Sequence, residues 1–137
     1  MIAAVAALAA GPAWASGSES APPDRQERLT SAESYVPLPT LSAAVIRREA
    51  TMGTIVVDMG VDVQDAALRR RVAASGPRLR DALRTALSTY ASVYYRERTA
   101  PDPNVLSRLM QQAVDRTLGA TGARVLLTNI LYQRRGA

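Results

Sequence analysis

Residues 54–63 are the segment of this sequence that most constrains its fold. Apolar side chains occupy every second position, at Ile55, Val57, Met59, Val61 and Val63. This alternation predicts a half-buried β-strand, because successive side chains of a strand point to opposite faces of the sheet. The chain must therefore supply a layer that covers one face of this strand.

The preceding residues 35–46 predict a second strand. Pro37 and Pro39 place its beginning at a sheet edge, because proline has no N–H group to donate to a neighbouring strand. Residues 49–53 are expected to form the turn between the two segments. Together the segments predict an antiparallel hairpin.

Helix signals follow this hairpin. Asp65 is a suitable N-cap for a helix that begins at Ala66. Ser75 and Gly76 interrupt that helix, and Pro77 suits the first turn of a second helix. Apolar residues at helical spacing predict that the second helix ends near Tyr94.

Asp102 and Pro103 predict the start of a third helix, and Gly119 predicts its end. Residues 124–133 are apolar at both odd and even positions, which predicts an interior strand covered by helices. The order β-β-α-α-α-β predicts an α+β domain, in which helices pack on one face of a small antiparallel or mixed sheet.

The first fifteen residues predict an export signal. Residues 2–10 are apolar, Gly11 and Pro12 interrupt the run, and Ala13-Trp14-Ala15 fits the small-x-small cleavage pattern. The run is too short for a membrane span, which needs about 20 apolar residues. No basic residue precedes it, so either translation begins upstream of Met1 or the signal is not of the standard kind.

The predicted organisation is a signal segment at 1–15, a disordered linker at 16–34 and a domain at 35–137. The linker is rich in Ser, Glu, Pro and Arg and has no apolar periodicity. Export predicts a periplasmic location, with inner-membrane association if the signal segment is retained. The sequence does not distinguish the Sec route from the twin-arginine route.

The chain contains no histidine, cysteine or lysine, and all 17 of its basic residues are arginines. It therefore lacks the commonest general base, thiolate ligands and a Schiff-base amine. We expect a protein that is not an enzyme and has no catalytic, cofactor-binding or metal-binding residues. The net charge of +5 permits an anionic partner. Basic residues are not interleaved with aromatic ones, so nucleic acid is not expected.

Two features of the 54–63 strand allow more than one interpretation. Asp58 and Asp62 point the same way and could act as an acid–base pair or bind a hard cation. The simpler interpretation is a solvated strand face, since charged residues are mostly exposed. Gly60 permits either a close approach of another group or a β-bulge.

Five residues are candidate partner contacts. Arg69, Arg70 and Arg71 form the densest basic run and could meet an acidic partner or anionic lipid. Consecutive helical residues fan out around the axis, however, so a solvated face is the simpler interpretation. Tyr94 and Tyr95 could anchor an interface, or one ring could close the core while the other stays half-exposed.

Four segments follow one another in a distinctive order: Tyr35-Val36-Pro37-Leu38-Pro39, the valine-rich run 56–63, the helix start Pro77-Arg78-Leu79-Arg80-Asp81 and the closing Thr128-Asn129-Ile130-Leu131-Tyr132-Gln133. In this order they resemble the flagellar basal-body-associated FliL family. The resemblance covers roughly residues 35–133. It implies a stomatin-like periplasmic domain that self-associates, braces the flagellar stator units and carries no catalytic residue.

Family members are usually held by one transmembrane helix near the N-terminus, whereas the sequence of this chain predicts a short, cleavable segment there. The expected function is a non-enzymatic interaction protein of the flagellar motor, with protein partners and a homo-oligomer among its assemblies. The alternative is a soluble envelope module that binds an acidic protein or anionic lipid and has no role in motility.

Overall fold

The computed structural model describes residues 33–136. The strands are β1 (Tyr35–Pro37), β2 (Leu41–Arg47), β3 (Ala50–Val63) and β4 (Ala123–Arg134). The helices are α1 (Ala66–Ala74), α2 (Gly76–Thr89), a π-helical turn (Tyr90–Tyr94) and α3 (Pro103–Leu118). The predicted signal segment, and all of the predicted linker up to residue 32, lie outside the described residues.

The strands form one antiparallel sheet in which β3 is central. β1 and β2 pair with consecutive parts of β3 on one side, and β4 pairs with it on the other. The predicted strand 35–46 is therefore two short strands, separated at residues 38–40. The sheet and its three α-helices confirm the predicted α+β class.

The hairpin between β2 and β3 is tighter than the sequence predicts. Its turn consists of Arg48 and Glu49, whose φ angles are 49° and 67°, and β3 begins at Ala50. The expectation of a turn at 49–53 is thus wrong. Two residues of positive φ suit a two-residue hairpin turn, but such turns usually carry Asn or Gly. Arg48 and Glu49 therefore did not indicate a two-residue turn in the sequence.

The predicted alternation of β3 is confirmed. Ile55, Val57, Val61 and Val63 are 0% exposed, and Met59 is 2% exposed. They face the apolar stripes of α2 and α3, which contribute Leu79, Leu83, Leu87, Leu106, Met110 and Val114 to the same buried cluster. Each fully buried side chain of this size contributes about 1.5–3 kcal/mol to the free energy of unfolding. The core is built mainly from aliphatic residues.

The predicted helix boundaries are also confirmed. The Leu68 N–H donates to the Asp65 carboxylate, and the N–H groups of Asn104 and Val105 donate to Asp102. Gly119 ends α3 with a left-handed φ of 64°. Each of these boundaries depends on a local capping rule, which explains why the sequence was sufficient.

The expectation that β4 is an interior strand is wrong. Among the described residues β4 pairs only with β3, so it is an edge strand. Helices cover only its inner face, where Ala123 and Val125 are buried. Leu131, on the outer face, is 45% exposed. The apolar residues on both faces of β4 gave a wrong prediction because Leu131 lies opposite Val56 on the outer face, which no helix of residues 33–136 covers.

Candidate interaction surfaces

Arg69, Arg70 and Arg71 do not form one patch. Arg69 donates to the carbonyls of Val63 and Gln64, which fixes the connection between β3 and α1. Arg71 donates to the carbonyl of Leu118 at the end of α3, where a cation is favourable. Arg70 is exposed. Two of the three predicted contact arginines therefore hold the fold together.

Tyr94 and Tyr95 point in different directions. Tyr95 is 3% exposed, whereas Tyr94 is 50% exposed and lies beside Val93, which is 70% exposed. Both exposed side chains belong to the π-helical turn that follows α2. π-Helical turns are frequent at functional sites, so Tyr94 remains a candidate contact. Tyr95 follows the turn and belongs to the core.

Tyr95 belongs to a cluster of phenols at one end of the domain, in which Tyr90 and Tyr95 are buried and Tyr132 is half-buried. Its ring lies 5.0 Å from that of Tyr132 and 6.2 Å from that of Tyr90, between centroids. Burial raises the pKa of Tyr95, the neighbouring Tyr132, Tyr90 and Glu97 raise it further, and Arg47 lowers it. Burial also raises the pKa of Tyr90. Burial therefore favours the neutral form of Tyr90 and Tyr95.

Asp58 and Asp62 are half-buried on the outer face of β3 and have separate partners. Thr40 Oγ1 donates to Asp58 Oδ1 at 2.6 Å, and Gln64 Nε2 donates to Asp62. This arrangement fits the simpler interpretation of a polar strand face. Within residues 33–136, no group of three His, Cys, Asp or Glu side chains is placed to hold a metal ion.

Gly60 lies beneath the ring of Tyr35, so a Cβ at this position would overlap that ring. The structure thus decides between the two interpretations of Gly60 in favour of close approach. The nearby bulge instead lies in β4, where Thr128 is the extra residue between the partners of Asp58 and Met59. Burial under this contact raises the pKa of Tyr35, with a further contribution from Asp58.

The sheet has two edges of different character. At the β1–β2 edge, the Leu38 N–H points inward and donates to Met59. Because backbone groups alternate along a strand, Pro37 and Pro39 occupy outward positions, where neither carries an N–H group. The β1 part of this edge is therefore a poor template for another strand, whereas β2 contains no proline.

The β4 edge carries outward N–H groups. The Arg135 N–H points inward and donates to Met52, so the alternation places the N–H groups of Ile130 and Tyr132 outward. At the start of β4, Gln111 occupies the place of a strand partner. Its Oε1 accepts from Val125 N–H, and its Nε2 donates to the Ala123 carbonyl. Beyond that point no described strand covers the edge.

An apolar cleft of about 570 Å³ lies between the β1–β2 connection and the corner where α1 meets α2. Val36, Leu38, Leu41, Val72 and Leu83 contribute apolar surface to it, and Arg80, Asp81 and Arg84 of α2 lie at its polar side. Sequence reasoning missed this cleft. Arg80 and Arg84 are one helical turn apart, but nothing in the sequence indicates which strand segment faces them.

No protein-family model, curated protein or solved structure matches this chain. No helix among residues 33–136 is both long enough and apolar enough to cross a bilayer. Functional assignment therefore depends on the surfaces described above.

Proposed function

We propose that this chain is a non-enzymatic interaction protein of the bacterial periplasm, resembling FliL, that contributes to the flagellar motor through protein contacts. The observation that carries this proposal is the edge of β4. It is a long strand edge with outward N–H groups, and edges of this kind can accept a strand from a partner. The exposed Val93 and Tyr94 offer a second contact on the helical layer.

The proposal is supported by the contrast between the two edges. Natural proteins commonly block exposed edges with proline, and the β1–β2 edge carries Pro37 and Pro39. Residues 123–134 contain no proline. Proline thus blocks the β1 part of one edge, and the strand at the other edge, β4, is longer than β2. This contrast favours the β4 edge as the contact surface for a protein.

The test compares charge placed at the two edges on the same outer face of the sheet. Leu131→Lys adds an ammonium beside the β4 edge, and Ala44→Lys is the matched control beside the β2 edge, where Ala44 is also exposed. In the bacterium that encodes the protein, we expect Leu131→Lys to reduce swimming in soft agar and to disperse a fluorescent copy from the flagellar base. Ala44→Lys should do neither.

A second pair of variants tests the outward backbone N–H groups of the two edges. Ile130→Pro removes an outward N–H group from β4, and Ala44→Pro removes one from β2. Thermal unfolding of all four variants identifies any that lose the fold. Normal swimming in a strain that lacks the protein, or a diffuse label for the unaltered protein, would refute the motor assignment. Normal swimming with folded Leu131→Lys would refute the role of the β4 edge.

A second candidate function is an envelope module that binds an acidic protein or anionic lipid and has no role in motility. It is favoured by the exposed arginines of α1 and α2, among them Arg70, Arg78, Arg80 and Arg84, which have no hydrogen-bond or ion-pair partner among the described residues. Flotation with anionic vesicles, but not with neutral ones, and release by salt would support it.

A further inference from the structure

We propose that the cleft between the β1–β2 connection and the α1–α2 corner binds a single-chain amphiphilic anion, namely a monomeric alkyl carboxylate. Its acyl chain would occupy the apolar cleft, and its carboxylate would meet the guanidinium groups of Arg80 and Arg84. The proposed motility role uses the β4 edge, so binding in this cleft requires neither that edge nor a motor partner.

The size and lining of the cleft suit such a ligand. Its volume of about 570 Å³ lies within the range of about 300–1,000 Å³ that is usual for small-molecule sites. The floor includes Leu41, Val72 and Leu83, which are buried parts of the hydrophobic core. Such a surface favours a methylene chain, and the volume suits one chain better than the two chains of a phospholipid.

The charge at the polar side of the cleft favours an anion. Arg80 and Arg84 are one turn apart on α2, so their side chains emerge from the same face of the helix. Neither has a hydrogen-bond or ion-pair partner among residues 33–136. Asp81 lies at the same side, which leaves a net positive charge. A carboxylate can accept hydrogen bonds from a guanidinium in a paired geometry.

The strand side of the cleft argues against a peptide ligand. Peptides that occupy a sheet edge depend on main-chain hydrogen bonds to that edge. Pro37 and Pro39, both in the cleft wall, have no N–H group, and the Leu38 N–H between them already donates to Met59. A ligand that needs only apolar contact and a charged head is therefore favoured.

The first test is calorimetric titration of the full chain with decanoate and dodecanoate below their micelle concentrations. Each buried methylene should strengthen binding about fourfold, so dodecanoate should bind on the order of tenfold more tightly than decanoate. Arg80→Gln combined with Arg84→Gln should weaken dodecanoate binding about tenfold, but should leave binding of the neutral dodecanol unchanged.

Two further variants complete the test. Arg78→Gln is the matched control, since Arg78 is an exposed arginine of the same helix that does not line the cleft. Ala73→Phe places a ring in the cleft from an exposed position of α1 and should abolish binding of both dodecanoate and dodecanol. Circular dichroism confirms that each variant keeps its fold.

Three outcomes would overturn the proposal. The first is the absence of binding at about millimolar dodecanoate. The second is equal weakening by Arg78→Gln and by the Arg80 and Arg84 variants, which would indicate a nonspecific charge effect. The third is binding to anionic vesicles alone. The motility assay is unaffected by these outcomes, because Leu131→Lys and Ile130→Pro, the variants expected to impair swimming, lie on the opposite edge of the sheet.

Discussion

At the scale of single residues, the contact between Gly60 and Tyr35 links the first strand to the centre of the sheet. The ring of Tyr35 lies over Gly60, and Tyr35 pairs with Asp62 in the β1–β3 ladder. Glycine is needed here because of space, since its φ is not positive. A side chain at this position must displace either the ring or the strand.

Gly60→Ala is therefore expected to lower the free energy of unfolding by about 1–3 kcal/mol, the usual cost of overpacking. Urea denaturation measures this change. Gly76→Ala is the matched control, because a Cβ at Gly76 meets no atom within 4 Å, and alanine favours the helix there. In a Tyr35→Ala background the cost of Gly60→Ala should largely disappear, and an undiminished cost would exclude the ring as its cause.

At the scale of elements, a helix side chain makes the hydrogen bonds that a neighbouring strand would make at the start of β4. Gln111 of α3 binds both the Val125 N–H and the Ala123 carbonyl of β4, and it also donates to Asp115 at 2.9 Å. The two backbone groups belong to residues that are 6% and 0% exposed. Gln111 thereby satisfies the outward backbone groups at the buried beginning of β4. The rest of the strand edge stays open.

Gln111→Ala should lower the free energy of unfolding by about 1–3 kcal/mol, because it leaves buried backbone groups without partners. Hydrogen exchange of the Val125 amide should also become faster. Gln112→Ala provides the control, since Gln112 is the exposed neighbour on the same helix and its side chain has no partner in β4. Equal effects of the two substitutions would contradict the assigned role of Gln111.

At the scale of the whole molecule, the core is aliphatic except for tyrosines at one end. Tyr90 and Tyr95 follow α2, and Tyr132 comes from β4. The Asp102 N–H donates to the Tyr90 hydroxyl, and the Tyr95 hydroxyl donates to the Thr99 carbonyl. These phenols join the helical layer to the edge strand and to the loop before α3, so ionisation of the buried Tyr90 and Tyr95 affects the entire fold.

Stability should therefore fall in alkaline solution. Burial raises the folded-state pKa of Tyr90 and Tyr95 above the ordinary value of 10.0. Below about pH 10, both the folded and the unfolded chain keep these protons, and the stabilising contribution is complete. At higher pH the unfolded chain ionises first, so the free energy of unfolding decreases until the folded-state pKa is passed.

Urea midpoints measured from about pH 8 to about pH 11 test this expectation. Combined Tyr90→Phe and Tyr95→Phe substitutions should flatten the decrease, whereas Tyr94→Phe, at the half-exposed neighbour, should not. A decrease that persists unchanged in the double variant would show that other groups cause the alkaline loss of stability.

The sequence alone determined the features that depend on neighbouring residues. The alternation of residues 54–63 identified the buried face of β3, and Asp65, Asp102 and Gly119 marked helix boundaries. These signals are local, because side-chain alternation and capping involve only a few consecutive residues. They were sufficient to predict the α+β class with helices on one face.

Only the tertiary structure decided which distant groups meet. It placed β4 at an edge and Tyr35 over Gly60. It also placed Gln111 beside the start of β4, and Pro37 and Pro39 opposite Arg80 and Arg84. Each of these contacts joins residues that are far apart in sequence, and strand order and helix docking determine them. The cleft and the open β4 edge, on which the proposed functions depend, are consequences of that packing.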